Sequence, residues 1–359
     1  GPSGRADVNK RSESLQAMVE PPQIKSRFMT NLIVFGLILI VLLFLCGYYM
    51  SRMPGRSVSG PLPELSVAET LLKERLHGHV DMLADKIGER NVWQYDNLQR
   101  AADYVEASFR RSGLTTRLLA YESVGKQVAN IEAEIPGLEA SSGTIIVGAH
   151  YDSLAGTSGA NDNATGVAAL LELAGLLKQS KPRKTVRLVA FVNEEPPFFK
   201  TSRMGSLVYA NQALQSGDRI AAMISLETIG YYTREPLSQK YPLPLLRYFY
   251  PERGDFVALV GNLRSGPLLK RSVKAFRQRG AFPSEGIVAP GWLLGVDWSD
   301  HWSFWKIDCP AIMVTDTALF RYPYYHSVHD TPDKVNYEAL TRVVNGLEAM
   351  IGELARSND

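Results

Sequence analysis

The segment Thr144 to Gly166, TIIVGAHYDSLAGTSGANDNATG, constrains the fold more than any other. Its first part, Thr144 to Ala149, is an apolar, β-branched run of strand length, and His150 and Asp152 follow where that strand should end. A loop rich in Gly, Ser and Asn then delivers Asp162. Beyond it, Val167 to Leu177 is apolar enough for a helix packed on a sheet. Strand, polar loop and helix form the repeating unit of an open α/β sheet, where functional groups collect at the carboxyl ends of the strands.

The unit recurs. Thr185 to Asn193 is an apolar strand that ends in Glu194-Glu195, and Ile220 to Leu226 is another that ends in Glu227. Phe256 to Val260 and Ala311 to Val314 read as further strands, while Thr115 to Val124 and Val128 to Ile135 pair around Gly125 as an edge hairpin. Helical spacing marks Val67 to Ile87, Leu98 to Arg111, Met204 to Leu214, Leu268 to Arg279 and Asn336 to Ala355. Residues 231–254, rich in proline and tyrosine, read as a long ordered loop near the site. The pattern predicts a three-layer α/β/α sandwich with a mixed, mostly parallel central sheet and antiparallel edges.

The stretch from Phe28 to Ser51 carries no charged residue. At about 1.5 Å per residue it is long enough to cross a bilayer. No small-residue cleavage site follows, so it reads as one uncleaved N-terminal transmembrane helix. Residues 1–27 then read as a disordered tail, 28–51 as the anchor, 52–66 as a linker and 67–359 as the catalytic domain. Lys25 and Arg27 on one side nearly balance Arg52 and Arg56 on the other, and Lys10 and Arg11 tip the balance towards a cytoplasmic N-terminus. The expectation is a single-pass membrane protein with a periplasmic or otherwise extracytoplasmic catalytic domain. A formal charge of +2 and the lack of a basic, aromatic-rich stripe argue against nucleic acid as a partner. The two cysteines, Cys46 and Cys309, have neither zinc-type spacing nor the placement of a disulfide pair.

In this architecture the strand ends bring together His150, Asp162, Glu194, Glu195, Glu227 and one of two late histidines, His326 or His329. Imidazoles and carboxylates without thiolates favour zinc, with cobalt or manganese as substitutes. A bridging aspartate with one histidine and one carboxylate on each side holds two metals, and a spare carboxylate beside them is a general base. Asp152, two residues after His150, can orient its imidazole. His77 and His79 sit two apart on a helix, cannot share a face, and read as surface residues. The sequon Asn163-Ala164-Thr165 is discounted, because a glycan there would block the site.

Gly148-Ala149-His150-Tyr151-Asp152-Ser153, Gly159-Ala160-Asn161-Asp162-Asn163-Ala164-Thr165-Gly166, Asn193-Glu194-Glu195, and Tyr325-His326-Ser327 with Asp330-Thr331 resemble, in order, the motifs of the co-catalytic zinc exopeptidases, which include bacterial leucyl aminopeptidase and glutamate carboxypeptidase. The resemblance covers roughly residues 67 to 355. It implies that Asp162 bridges two zinc ions, that His150 and Glu227 complete one site and Glu195 and His326 the other, and that Glu194 is the base. The Tyr-His-Ser match favours His326 over His329, which is left at the rim. Asp300-His301 resembles a family element near the substrate, so Asp300, His301 and Tyr325 of the Tyr-His-Ser match are candidates to contact the substrate or to support the ligands. Two departures stand out: Glu227, where the family often has Asp, and Pro196-Pro197-Phe198-Phe199, an insertion before Gly205-Ser206. The implied activity is membrane-anchored aminopeptidase action on peptides. A carboxypeptidase, a single-zinc glutaminyl cyclase and a metal-free receptor-like relative are the alternatives.

Overall fold

The computed structural model describes residues 23–280 and 282–357. Most of the expected tail, 1–22 with Lys10 and Arg11, lies outside the described residues. The chain divides into two compact units, 1–49 and 50–359. The first is dominated by helix α1, Gln23–Ser51, which begins five residues earlier than the apolar stretch and takes in part of the expected tail. Its apolar side chains, from Phe28 to Leu45, are exposed.

The second unit is built on an eight-stranded sheet. Helix α2, Val67–Asp81, starts at a capping box: Ser66 Oγ accepts from the Glu69 amide at 3.3 Å and Glu69 Oε2 accepts from the Ser66 amide at 2.8 Å. The two bonds satisfy donors that a helix start leaves open. A π turn over Met82–Ile87 carries it on to Gly88. Helix α3, Tyr95–Arg111, precedes the hairpin of β1, Thr115–Ser123, and β2, Lys126–Ile135. Then follow β3, Thr144–His150; α4, Thr165–Lys178; β4, Thr185–Phe191; α5, Gly205–Gln215; and β5, Ile220–Glu227. The remainder is β6, Val257–Gly261; α6, Gly266–Arg279; β7, Ser284–Val288; α7, His301–Trp305; β8, Ala311–Thr315; and α8, Tyr337–Arg356.

The strand order is β1-β2-β4-β3-β5-β8-β6-β7. β4, β3, β5 and β8 run parallel, as do β6 and β7, whereas β1–β2, β2–β4 and β6–β8 are antiparallel. Alternation along β3 explains the layers. Ile145, Val147 and Ala149 join the core formed with α2, α3, α4, α6 and α8, and Ile146 joins the core under α5 and α7. Every residue of β3 is buried, as expected of a parallel strand covered on both faces.

Two elements escaped the sequence reading: β7 and the one-turn α7. The segment 52–66, expected as a linker, is instead fastened along the domain. Arg277 Nη1 donates to the Pro54 and Gly55 carbonyls at 3.2 Å each, the Ser284 amide donates to Ser57 Oγ at 2.8 Å, and Arg342 donates to Pro63 O. Leu62 packs against the main core.

Candidate metal centre

His150 closes β3 with its ring fully buried. Its Nδ1 lies 3.2 Å from the Asp152 carbonyl, a contact that assigns the ring proton to Nδ1 and leaves Nε2 bare. Nε2 faces Asp162 Oδ1 at 3.3 Å, Glu227 Oε2 at 3.4 Å and Glu194 Oε2 at 3.8 Å. On the other side of Asp162, His326 Nε2 lies 3.1 Å from Oδ2 and 3.3 Å from Glu195 Oε2. His329 is not brought to the cluster; its ring packs edge-on against Tyr324.

A loop can hold Asp162 steady only if its backbone is tied down, and here it is. Asp330 accepts the amides of Asn161 at 2.8 Å and Asp162 at 3.1 Å, and takes the Tyr322 hydroxyl at 2.7 Å. Asn163 donates to Leu226 O and accepts from the Thr228 and Gly166 amides, which joins the loop to the end of β5. Its side chain is wholly buried, so the sequon is closed to glycan transfer. Arg90, fully buried beneath the loop, donates to the carbonyls of Tyr151, Ser158 and Gly159. Two glycines are required sterically. A Cβ on Gly159, at φ +58°, would fall 2.4 Å from Asp162 O, and one on Gly166 would fall 2.7 Å from Leu226 O.

Asp152 has a role beyond the one its spacing suggests. Its two oxygens accept the amides of Glu194 at 3.1 Å and Glu195 at 3.2 Å, so it positions both glutamates as well as lying 3.6 Å from His150 Nδ1. Glu227 is steadied by Ser299, whose hydroxyl donates to Oε2 at 2.7 Å. Asn193, Thr228 and His326 all adopt left-handed backbone, at φ +60°, +43° and +55°. Such residues cost about 1–3 kcal/mol each and collect where a site needs an exact side-chain direction.

Of the remaining predicted residues, Tyr325 stacks on His326 at 3.9 Å between ring centroids. Asp300 is buried within the field of Glu227 and His150, and burial pushes its carboxyl up to about 7. His301 turns away: Nε2 meets the Val296 carbonyl at 2.8 Å and the ring packs edge-on to Trp305. These two contacts hold the ring beside Val296 and Trp305. His79, read as a surface residue, is part-buried between Tyr104 Oη at 2.7 Å and Glu172 Oε1 at 3.2 Å. Of the Pro196–Phe199 insertion, Phe198 stacks on Trp93, and the next residue, Lys200, pairs with Asp297 at 2.5 Å. Arg90, Asp330, Tyr322 and Ser299 are contributors that sequence reasoning did not assign.

The donor set fits a cation. His150 Nε2, Asp162 Oδ2 and Glu195 Oε1 are buried without a hydrogen-bond partner among the described residues, although His150, Asp162 and Glu195 present ligand atoms within 4.8 Å of one another. Buried polar atoms are rarely left unpaired unless something else satisfies them. Burial alone would raise the Asp162 carboxyl, but the His150 and His326 imidazoles beside it hold it well below the usual range. Burial would lower the His326 imidazole, yet Asp162 and Glu195 carry it up to about 10. Burial and the Asp162 charge push Glu195 up to about 7.

Protons therefore occupy His326, and part of Glu195, near neutral pH, and a metal must displace them. Zinc affinity is expected to rise with pH between 6 and 9, by about tenfold per unit for each proton displaced. Calorimetry in buffers of different ionisation enthalpy measures the protons released; none released would contradict the electrostatics described above.

The mixed α/β sheet and its loops bring two imidazoles and four carboxylates to one cleft, with more acids than a single ion needs, as a metal-dependent hydrolase requires. The chain belongs to peptidase family M28, which its residues 130–351 match. Over 286 residues it is 40% identical to "Uncharacterized protein YfbL" of Escherichia coli (strain K12), covering 77% of this chain and 87% of that protein. Among solved structures it resembles BSAP, a zinc aminopeptidase from Bacillus subtilis, with a TM-score of 0.61 at 14% identity over 79% of this chain and 95% of that one. It also resembles Fimbriiglobus ruber glutaminyl cyclase, with a TM-score of 0.59 at 19% identity over 84% and 99%. At such identities the structural likeness speaks for the fold.

Proposed function

We propose that the chain is a membrane-anchored aminopeptidase that holds two zinc ions across Asp162 and removes single residues from peptide N-termini. The observation that carries this reading is the division of Asp162 between two histidines, with Oδ1 3.3 Å from His150 and Oδ2 3.1 Å from His326. Glu227 stands beside the first histidine and Glu195 beside the second. His150, Asp162 and Glu227 would hold one ion, and His326, Asp162 and Glu195 the other, with cobalt or manganese able to substitute.

When bound, the ions supply Lewis acidity towards the scissile carbonyl and acidify the attacking water. Glu194 belongs to neither set. Burial, with Glu227 and Glu195 nearby, raises its proton affinity well above that of an ordinary carboxylate. It can therefore take the proton from the attacking water and return it to the leaving amine. Asp152 keeps Glu194 in place through its amide. A cavity of about 110 Å³ opens beside Glu227 and Tyr325 and is lined by Phe256, Val260, Ile287, Val296 and Met313, which suits one apolar side chain at the substrate's N-terminus.

Residues Arg27–Ser51 are long and apolar enough to cross a membrane. With the charge balance of the flanks, this supports an anchor with its N-terminus in the cytoplasm and the catalytic domain outside it. Titration of the metal-free full chain with zinc tests the two-ion reading: activity should reach its plateau at two ions per chain by elemental analysis. Full activity at one ion per chain would contradict it.

A further inference from the structure

We propose that the two loops enclosing the substrate cavity form a second membrane contact, lying in the lipid interface of the bilayer that α1 enters; the direction of that bilayer rests on the anchor reading above. The cavity is walled by residues 231–256, through Tyr241 and Tyr250, and by residues 289–298, through Leu293 and Val296. The same loops also carry exposed apolar side chains: Leu243, Leu245 and Tyr248 on the first, Trp292, Leu294 and Trp298 on the second, of which Leu294 and Trp298 also line the cavity. Trp292 is 82% exposed and Tyr248 70%. Isolated exposed apolar residues are ordinary, but two aromatic-rich loops meeting around one cavity are not.

The covalent path of the chain says which partner covers them. Met50 packs against the cluster that contains Phe256, Val260, Leu293 and Val296 and lines the cavity. Leu293 itself lies between the exposed Trp292 and Leu294. Met53 packs against Gly286 in β7, where an added Cβ would fall 2.8 Å from Met53 Cγ. Pro54, Gly55 and Ser57 are bonded to Arg277 and Ser284. The residues from Met50 to Ser57 are thus fastened to the same part of the domain as the loop that carries Trp292.

The side-chain chemistry also suits a headgroup layer. Tryptophan and tyrosine favour the interface because each has an apolar body and a polar tip. Arg247 lies over the Tyr248 ring at 4.9 Å and donates to its hydroxyl, which places a cation at the same depth. Asp297, an acid on the second loop, is neutralised by Lys200. Seated in this way, the cavity would meet peptides already partitioned to the bilayer surface through apolar N-terminal residues.

The test uses the full chain in phosphatidylcholine–phosphatidylglycerol nanodiscs, made with or without dibrominated acyl chains, and reads tryptophan fluorescence. All five tryptophans, Trp93, Trp292, Trp298, Trp302 and Trp305, lie outside α1. The expected result is quenching by the brominated lipid that falls by at least half in Trp292→Tyr and is unchanged in Trp93→Tyr. Equal quenching in the wild type and Trp292→Tyr would overturn the proposal, as would loss of that quenching difference together with two chains per disc, which would assign the patch to a second copy. Flotation of the same protein with vesicles reads the anchor alone: a chain that does not float overturns the anchor and this proposal together. Peptide cleavage in the discs reads the aminopeptidase assignment independently of both.

Discussion

Glu194→Gln is expected to lower kcat by about 10³- to 10⁴-fold while leaving the zinc content unchanged. The amide keeps the shape of the side chain and its neutral-pH packing, but it cannot accept the proton from the attacking water. The backbone of residue 194 should stay in place, because its amide bond to Asp152 involves no atom of the glutamate side chain. KM should change little, since the proton transfer belongs to the transition state and not to ground-state binding. Turnover within tenfold of the wild type, with metal bound, would remove Glu194 from the role of base and leave Asp300, a buried carboxyl of raised proton affinity in this field that belongs to neither proposed ion set, as the group to examine.

The second large effect is expected at Asp162. Asp162→Asn replaces the carboxylate of the proposed bridge by a neutral amide with a single ligating oxygen, so one ion site would lose its ligand and the other would keep only an uncharged one. The zinc content should fall below one per chain and activity below detection at the zinc concentration that saturates the wild type. His150→Ala, by contrast, should remove one ion and leave the His326, Glu195 and Asp162 set intact. Retention of two zinc ions in Asp162→Asn would show that the residue does not bridge. Because Asp330 grips the amides of residues 161 and 162, the loop in the variant should keep its fold, and circular dichroism of the metal-free protein checks that this is so.

Much of this candidate site is legible in the sequence because its side chains stand where regular patterns stop. His150, Glu194-Glu195 and Glu227 each follow an apolar run of strand length, and Asp162 sits in a glycine-rich loop before a helix. The sheet's parallel centre is legible for the same reason, since β3, β4 and β5 alternate with α4 and α5. What could not be read depends on long-range bonds without local periodicity. Asp330 meets residues 169 positions away, and Arg90 reaches carbonyls 61 to 69 positions on. Ser299 looks like any loop serine until β5 places Glu227 beside it.

The short edge elements failed for a different reason. β7 has only five residues, contains Gly286, follows Pro283 and buries alternate positions, so no continuous apolar run announces it. The segment 52–66 has the Gly and Pro content of a linker, but Arg277, Ser284 and Arg342 supply partners for its backbone that composition does not reveal. His301 follows the buried Asp300 directly in the chain, so spacing alone does not separate their directions. A helix of one turn rotates successive side chains about 100° apart, and that rotation sends the imidazole to Val296 and Trp305.

The most direct test of the central claim is the mass of the products that the zinc-loaded full chain makes from matched peptides bearing N-terminal leucine, with the terminus free or acetylated. Loss of single residues from the free N-terminus alone is the result predicted here. Cleavage of the acetylated peptide from its C-terminus, or conversion of an N-terminal glutamine peptide to the pyroglutamyl form with no hydrolysis of either leucine peptide, would contradict it.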